Sequence, residues 1–258
     1  MAFSKHLKAS LFWCSVALGI ALLAPEYYKS SHLFPTSQPF VCKHEYNIEI
    51  VSLDPLALYI NNFISEAEID HLFEITEGKY VYSESRDPNR VYAPRRRTSS
   101  SVILSSEDPV VQCIDKRANG FAGFLDHESF ESLQLVKYLD TERHDFHYDW
   151  FEYPPRLQNG EVTCNRASSF FVYLGGNATG GETYFPELLS VPADGDGSKF
   201  VRTNSEDGLV VFHPIAGNAI FWVNLHENGT GDDRNMHAGL PVIEGEKIGL
   251  NIWPPMYY

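Results

Sequence analysis

Short apolar runs separated by turn residues fill the second half of the chain, and they constrain its fold more than any other feature. From Leu133 onward the runs are Leu133–Leu139, Phe170–Leu174, Thr183–Phe185, Leu209–Phe212, Ala219–Val223 and Ile248–Trp253. They favour aromatic and β-branched residues, which suit a pleated, half-buried surface. Gly175-Gly176-Asn177, Gly180-Gly181, residues 193–197 and Gly217-Asn218 read as the turns between them. Upstream the pattern differs. Residues 49–51 and 57–60 read as strands. Ser65, with Glu68 three residues on, forms a capping-box start for a helix whose apolar face is Ile69, Leu72, Phe73 and Ile75. Asp108-Pro109 opens a second helix, carried by Val110, Val111, Ile114, Ala118 and Phe121. Helices followed by many short strands predict a mainly β protein with flanking α. The expected core is a jelly roll, or double-stranded β-helix, with the N-terminal helices packed on one sheet. The chain shows no internal repeat.

At 258 residues there is room for one domain with a sizeable core and a short appendage. The formal net charge of −14 excludes a basic nucleic-acid footprint. Arg95-Arg96-Arg97 is the one dense basic run, read either as a solvated loop or as a contact for an acidic partner. Residues 86–97 read either as a lid or as a plain surface loop. At the N-terminus Lys5, His6 and Lys8 precede an apolar run from Leu11 to Ala24, ended by Pro25-Glu26. Residues 1–26 are therefore expected to be a signal peptide or a short single-pass signal-anchor. Either sends the body to the secretory pathway, with the endoplasmic reticulum lumen as the expected site. The sequons at Asn177 and Asn228 agree with a glycoprotein. Residues 27–45 read as a linker and 46–258 as the folded domain. Of four cysteines, Cys14 lies in the apolar run, while Cys42, Cys113 and Cys164 are scattered without a CxxC pair. A zinc-thiolate site is not expected. A lumenal body has room for one disulfide and one free thiol, and spacing does not say which two pair. Oligomeric state leaves no signature.

The chemistry concentrates in His144-Asp-Phe-His-Tyr-Asp-Trp150. Residues two apart on a strand share a face, so His147 and Asp149 are expected to point together into the barrel. A third ligand must come from elsewhere, and His237, placed before the final strand, can supply it. Two histidines and a carboxylate on one face of an octahedron suit iron(II) and leave three positions for a chelating co-substrate and dioxygen. Lys247, ten residues on, is expected to open the last strand. A buried ammonium needs a carboxylate partner, which the far end of a dicarboxylic co-substrate would offer. Tyr138 and Tyr173 could donate hydrogen bonds to it. A rival pairing of His144 with His147 is disfavoured, because residues three apart on a strand face opposite sides.

In these residues the chain resembles the prolyl 4-hydroxylase branch of the 2-oxoglutarate/iron(II) dioxygenases. The resemblance runs from about Pro55 to Trp253. Its stretches are PLALYINNFISEAEIDHL from Pro55, RTSSSVIL from Arg97, ESLQLVKYLDTERHDFHYDWF from Glu131, RASSFFVYL from Arg166, GGETYFP from Gly180 and HAGLPVIEGEKIGLNIW from His237. The resemblance implies that His147, Asp149 and His237 hold iron(II). It implies that Lys247 pairs with the distal carboxylate of 2-oxoglutarate, assisted by Tyr138 and by Tyr173 or Ser169. It places Arg166 near the substrate, the rival reading being a surface arginine at a strand edge. It implies hydroxylation of an unactivated C–H bond with dioxygen and ascorbate, on prolyl residues of a peptide or protein. Glu142, His144, Ser169 and Asn251 depart from the family pattern, which keeps a small specialised metabolite as an alternative substrate. A non-catalytic binding module on the same fold is a second alternative.

Overall fold

The computed structural model describes residues 40–83, 97–123, 131–157, 160, 162–188, 195–202 and 210–258. The expected signal or anchor segment, most of the linker and most of the 86–97 segment lie outside them. The compact body runs from Val41 to Tyr258. It therefore takes in residues 41–45, read above as linker, and Cys42 is bonded to Cys113.

The chain opens with β1 (Asn47–Leu53) and β2 (Leu56–Asn61), then α1 (Glu66–Thr76), β3 (Val81–Tyr82), β4 (Ser100–Ile103) and α2 (Pro109–Phe121). The run β5 (Gln134–Tyr138), β6 (His144–His147), β7 (Arg156–Leu157), β8 (Val162–Arg166) and β9 (Ser168–Gly176) follows. Then come β10 (Thr179–Gly180), β11 (Thr183–Phe185), β12 (Phe200–Arg202), β13 (Val210–Phe212) and β14 (Ala219–Val223). The last are β15 (His237–Gly239), β16 (Val242–Glu244), β17 (Lys247–Ile252) and β18 (Pro255–Tyr257). His237 thus begins a strand of its own, and one more strand, β18, follows the one that Lys247 opens.

Both helices start where their caps predict. The Ser65 and Glu68 side chains complete a reciprocal capping box, and Asp108 accepts from the amides of Val110 and Val111. An eight-stranded sheet in the order β1-β2-β14-β9-β17-β5-β4-β3 faces a five-stranded sheet, β12-β13-β11-β15-β6. The period-two rule shows how β9 serves two cores. Phe170, Val172 and Leu174 pack outward against Ile69, Leu72, Ile114 and Ala118 of the helices. Phe171 and Tyr173 point inward with Phe185, Phe200, Val210 and Phe212 of the smaller sheet. β14 alternates the same way, with Phe221 outward and Trp222 inward. This is the jelly-roll arrangement the strand pattern predicts, with the helices on one sheet. The space between the sheets is where inward polar residues must meet.

Candidate active site

Three inward side chains converge between the sheets. His147 ends β6, Asp149 lies in the bend just beyond, and His237 begins β15, paired directly with His147 across the ladder. Asp149 is therefore not on the strand with His147, as the two-apart argument assumed. The turn carries its carboxylate back to the same point. One ligand atom from each residue lies within 4.8 Å of the others. His147 Nε2 stands 3.6 Å from Asp149 Oδ1, and His237 Nε2 stands 3.9 Å from Oδ2.

Backbone carbonyls set both imidazoles. His147 Nδ1 lies 2.8 Å from the Asp145 carbonyl, and His237 Nδ1 lies 2.9 Å from the Asn235 carbonyl. A carbonyl only accepts, so each Nδ1 carries the proton and each Nε2 keeps a free lone pair aimed at the cluster. Burial, reinforced by the neighbouring His237, pushes the basicity of His147 well below the ordinary histidine range. Burial pushes Asp149 upward, but the two histidines, Arg166 and the Ser169 hydroxyl outweigh it and keep the carboxyl ionised. Neutral imidazoles and an ionised carboxylate are the forms that bind a cation. Phe185 and Trp222 wall in the His237 ring, at 5.2 and 4.7 Å between centroids.

The expectation for His144 was wrong in its geometry. Its ring stacks on that of His147, with centroids 3.6 Å apart. Three steps along β6, from His144 to His147, face only two along β15, from Gly239 to His237. That bulge reverses the alternation and turns both rings to one side. His144 is still outside the metal-spaced group, which comprises His147, Asp149 and His237 among the described residues.

Lys247 is 2% exposed. Its ammonium sits among rings, 4.7 Å from the centroid of Phe171 and 5.5 Å from those of Tyr138 and Tyr173. Neither a hydrogen bond nor an ion pair reaches it among the described residues. Burial pulls its pKa down to about 7, with Glu182 pulling back weakly. An unpaired buried ammonium in this space fits the distal carboxylate of a keto-diacid. Thr183, which the sequence reading missed, belongs here. Tyr173 donates to its Oγ1 at 2.8 Å, which frees the Thr183 proton for another acceptor. The signal was Gly180-Gly181 just before it. Gly181 has φ +73°, and a Cβ there would press on the Lys247 chain at 3.1 Å.

Arg166 is neither a surface residue nor free to reach outward. It grips Glu131 through two bonds of 2.5 and 2.7 Å and stacks on Trp253 at 3.6 Å and on Phe151 at 4.6 Å. It also donates to the Asp149 carbonyl at 3.1 Å. Ser169 stands beside the His147–Asp149–His237 cluster, donating to Asp149 Oδ2 at 2.7 Å. Arg97, from the basic run, is held internally by Ser99 and by Gln134, to which it donates.

A facial set of two imidazoles and one carboxylate, a buried ammonium beyond it and a jelly-roll frame define an iron(II)- and 2-oxoglutarate-dependent oxygenase. Residues 133–254 match the 2OG-Fe(II) oxygenase superfamily. Probable prolyl 4-hydroxylase 6 of Arabidopsis thaliana is 30% identical over 207 residues, spanning 79% of this chain and 70% of that protein. The prolyl 4-hydroxylase alpha-3 subunit of Rattus norvegicus is 28% identical over 89% of this chain and 40% of its own length. Among solved structures, the viral collagen prolyl hydroxylase of Paramecium Bursaria Chlorella virus-1, in its 2-oxoglutarate complex, aligns with a TM-score of 0.54. It is 25% identical and covers 76% of this chain and 94% of that one. The chain belongs to the prolyl 4-hydroxylase family of 2-oxoglutarate/iron(II) dioxygenases.

Proposed function

We propose that this dioxygenase hydroxylates prolyl residues of a peptide or protein in the secretory pathway. The observation that carries the reading is the convergence of His147, Asp149 and His237 in the same inter-sheet space as the unpaired ammonium of Lys247. Iron(II) with 2-oxoglutarate and dioxygen supplies the oxidising chemistry for an unactivated C–H bond, and ascorbate keeps the metal ferrous. The protein's own residues hold and orient. His147, Asp149 and His237 would hold the cation and leave positions for the co-substrate and dioxygen. Lys247 holds a proton for the distal carboxylate, and Thr183 offers a hydroxyl beside it. Phe185, Trp222 and Phe171 keep water from both ends.

A peptide substrate is supported by the relatives, which are named as prolyl hydroxylases, and by a cavity of about 440 Å³. Arg143, His144 and Phe146 line one side of it and Ala238 to Pro241 the other. The secretory setting is supported by the Cys42–Cys113 disulfide, a bond favoured in oxidising compartments, and by the exposure of Asn177 and Asn228 as glycan acceptors. Among the described residues no helix is long and apolar enough to cross a membrane, so an anchor would rest on residues 1–26. The test is succinate release with proline-rich peptides against a panel of small metabolites, with mass analysis for one added oxygen. Peptide-dependent release is expected, and His147→Ala abolishes both iron content and turnover. Release driven by small metabolites alone, or iron content indifferent to His147→Ala, would overturn the reading.

A further inference from the structure

Asp149 is held from behind by a chain of two side chains that the reaction itself does not require. The Ser169 hydroxyl donates to Asp149 Oδ2 at 2.7 Å, and Asn224 Nδ2 donates to Ser169 Oγ at 2.8 Å. Trp253 Nε1 donates to the same Oδ2 at 3.1 Å. Asn224 and Ser169 are both fully buried. We propose that Asn224 is a positioning residue of the metal centre. Through Ser169 it fixes the Asp149 carboxylate so that Oδ2 is occupied and Oδ1 is presented to iron(II). The proposal rests on the iron reading above.

The proton inventory gives the chain its direction. An ionised carboxylate only accepts, a hydroxyl has one proton to give, and a carboxamide nitrogen has two. If Asn224 turned its oxygen toward Ser169, the single hydroxyl proton would have two acceptors and one would go without. With nitrogen facing Ser169, that proton is committed to Asp149. Oδ2 then receives two donors, while no hydrogen bond reaches Oδ1 among the described residues. Only the metal-ligand histidine His147 faces that oxygen, at 3.6 Å.

Asn224 is also a poor choice as core filler. Its Oδ1 is buried without a hydrogen-bond partner, a burden an aliphatic side chain of similar volume would remove. Its backbone is fixed independently of the side chain. The Asn224 amide donates to the Ala167 carbonyl, and the Asp232 amide donates to the Asn224 carbonyl, each at 2.9 Å. The carboxamide therefore acts toward Ser169 and not in shaping the loop.

The experiment measures iron(II) affinity of the full chain under anaerobic conditions, by competition with a chelator, without substrate or turnover. Asn224→Leu and Ser169→Ala should each weaken iron(II) roughly tenfold, the size typical for groups that orient a ligand. The double variant should be no weaker than the worse single, because both changes break one chain. Ser169→Thr, which keeps the hydroxyl, should bind as the unaltered protein does. Unchanged affinity in Asn224→Leu, or losses that add in the double variant, overturns the relay. Should Asn224→Leu fail to fold, Ser169→Ala carries the test, since it removes the shared hydroxyl, and unchanged affinity there overturns it equally. Failure of the unaltered protein to bind iron(II) would instead overturn the site assignment, and the relay with it.

Discussion

Lys247 gives the site a pH dependence. Burial brings its pKa to about 7 in the absence of a partner. A bound carboxylate favours the charged form and raises that value. Below about pH 7 the ammonium is already charged and 2-oxoglutarate binds without taking up a proton. Above it, binding must draw a proton from solution. Affinity should therefore fall by up to about tenfold per pH unit above neutrality. Titrations at several pH values, with pyruvate as a keto acid lacking the distal carboxylate, check this. A flat profile for 2-oxoglutarate, or the same slope for pyruvate, would refute it. Much of the site was legible at this scale. The types and order of His147, Asp149, His237 and Lys247 singled out the three side chains that converge and the ammonium that is buried. Thr183 and Asn224 were hidden because a threonine and an asparagine carry no chemistry until their neighbours are known. His144 was misjudged because a bulge is a property of two strands, and sequence shows them one at a time.

Elements were legible where local chemistry fixes them. Ser65 with Glu68 and Asp108 with Pro109 marked both helix starts, and Ala219–Val223 was bounded correctly as a strand. The two- and three-residue strands β3, β7, β10, β12, β15, β16 and β18 were missed, because pairing partners make them and composition does not. Glu68 does more than cap α1. It takes Arg117 of α2 at 2.6 Å, with both side chains nearly sealed from solvent. Burial pushes the Glu68 carboxyl upward, but Arg117 and the Ser65 amide outweigh it and hold it below its ordinary value. Arg117 also donates to the Phe63 carbonyl at 2.8 Å. Arg117→Ala strands a buried carboxylate and should cost about 3 kcal/mol. Urea unfolding monitored by circular dichroism measures it, and a loss below about 1 kcal/mol would show the pair to be effectively solvated.

For the whole molecule, the period-two runs disclosed a two-sheet core, but not the order β1-β2-β14-β9-β17-β5-β4-β3. Neighbours such as β2 and β14 are brought together by packing across most of the chain, which no local pattern records. The Cys42–Cys113 bond was equally unreadable from spacing. It joins residues 71 apart and ties the start of the body to α2, while Cys164 remains a buried thiol. Closing so long a loop restricts the unfolded chain, so Cys42→Ser should lower stability by about 2–4 kcal/mol. Denaturant unfolding of both forms without reductant tests this. A midpoint indifferent to the substitution would mean the bond does not form in solution.

The strand β9 joins the two ends of the site. Ser169 props the metal carboxylate at one end and Tyr173 reaches the lysine recess at the other, four residues along one rigid ribbon, or about 13 Å. The backbone thus works as a fixed gauge. A diacid with one methylene more or fewer would find its two grips at the wrong separation. Selectivity for co-substrate length is expected to follow from the pitch of this strand together with the reach of the Lys247 side chain from its neighbour.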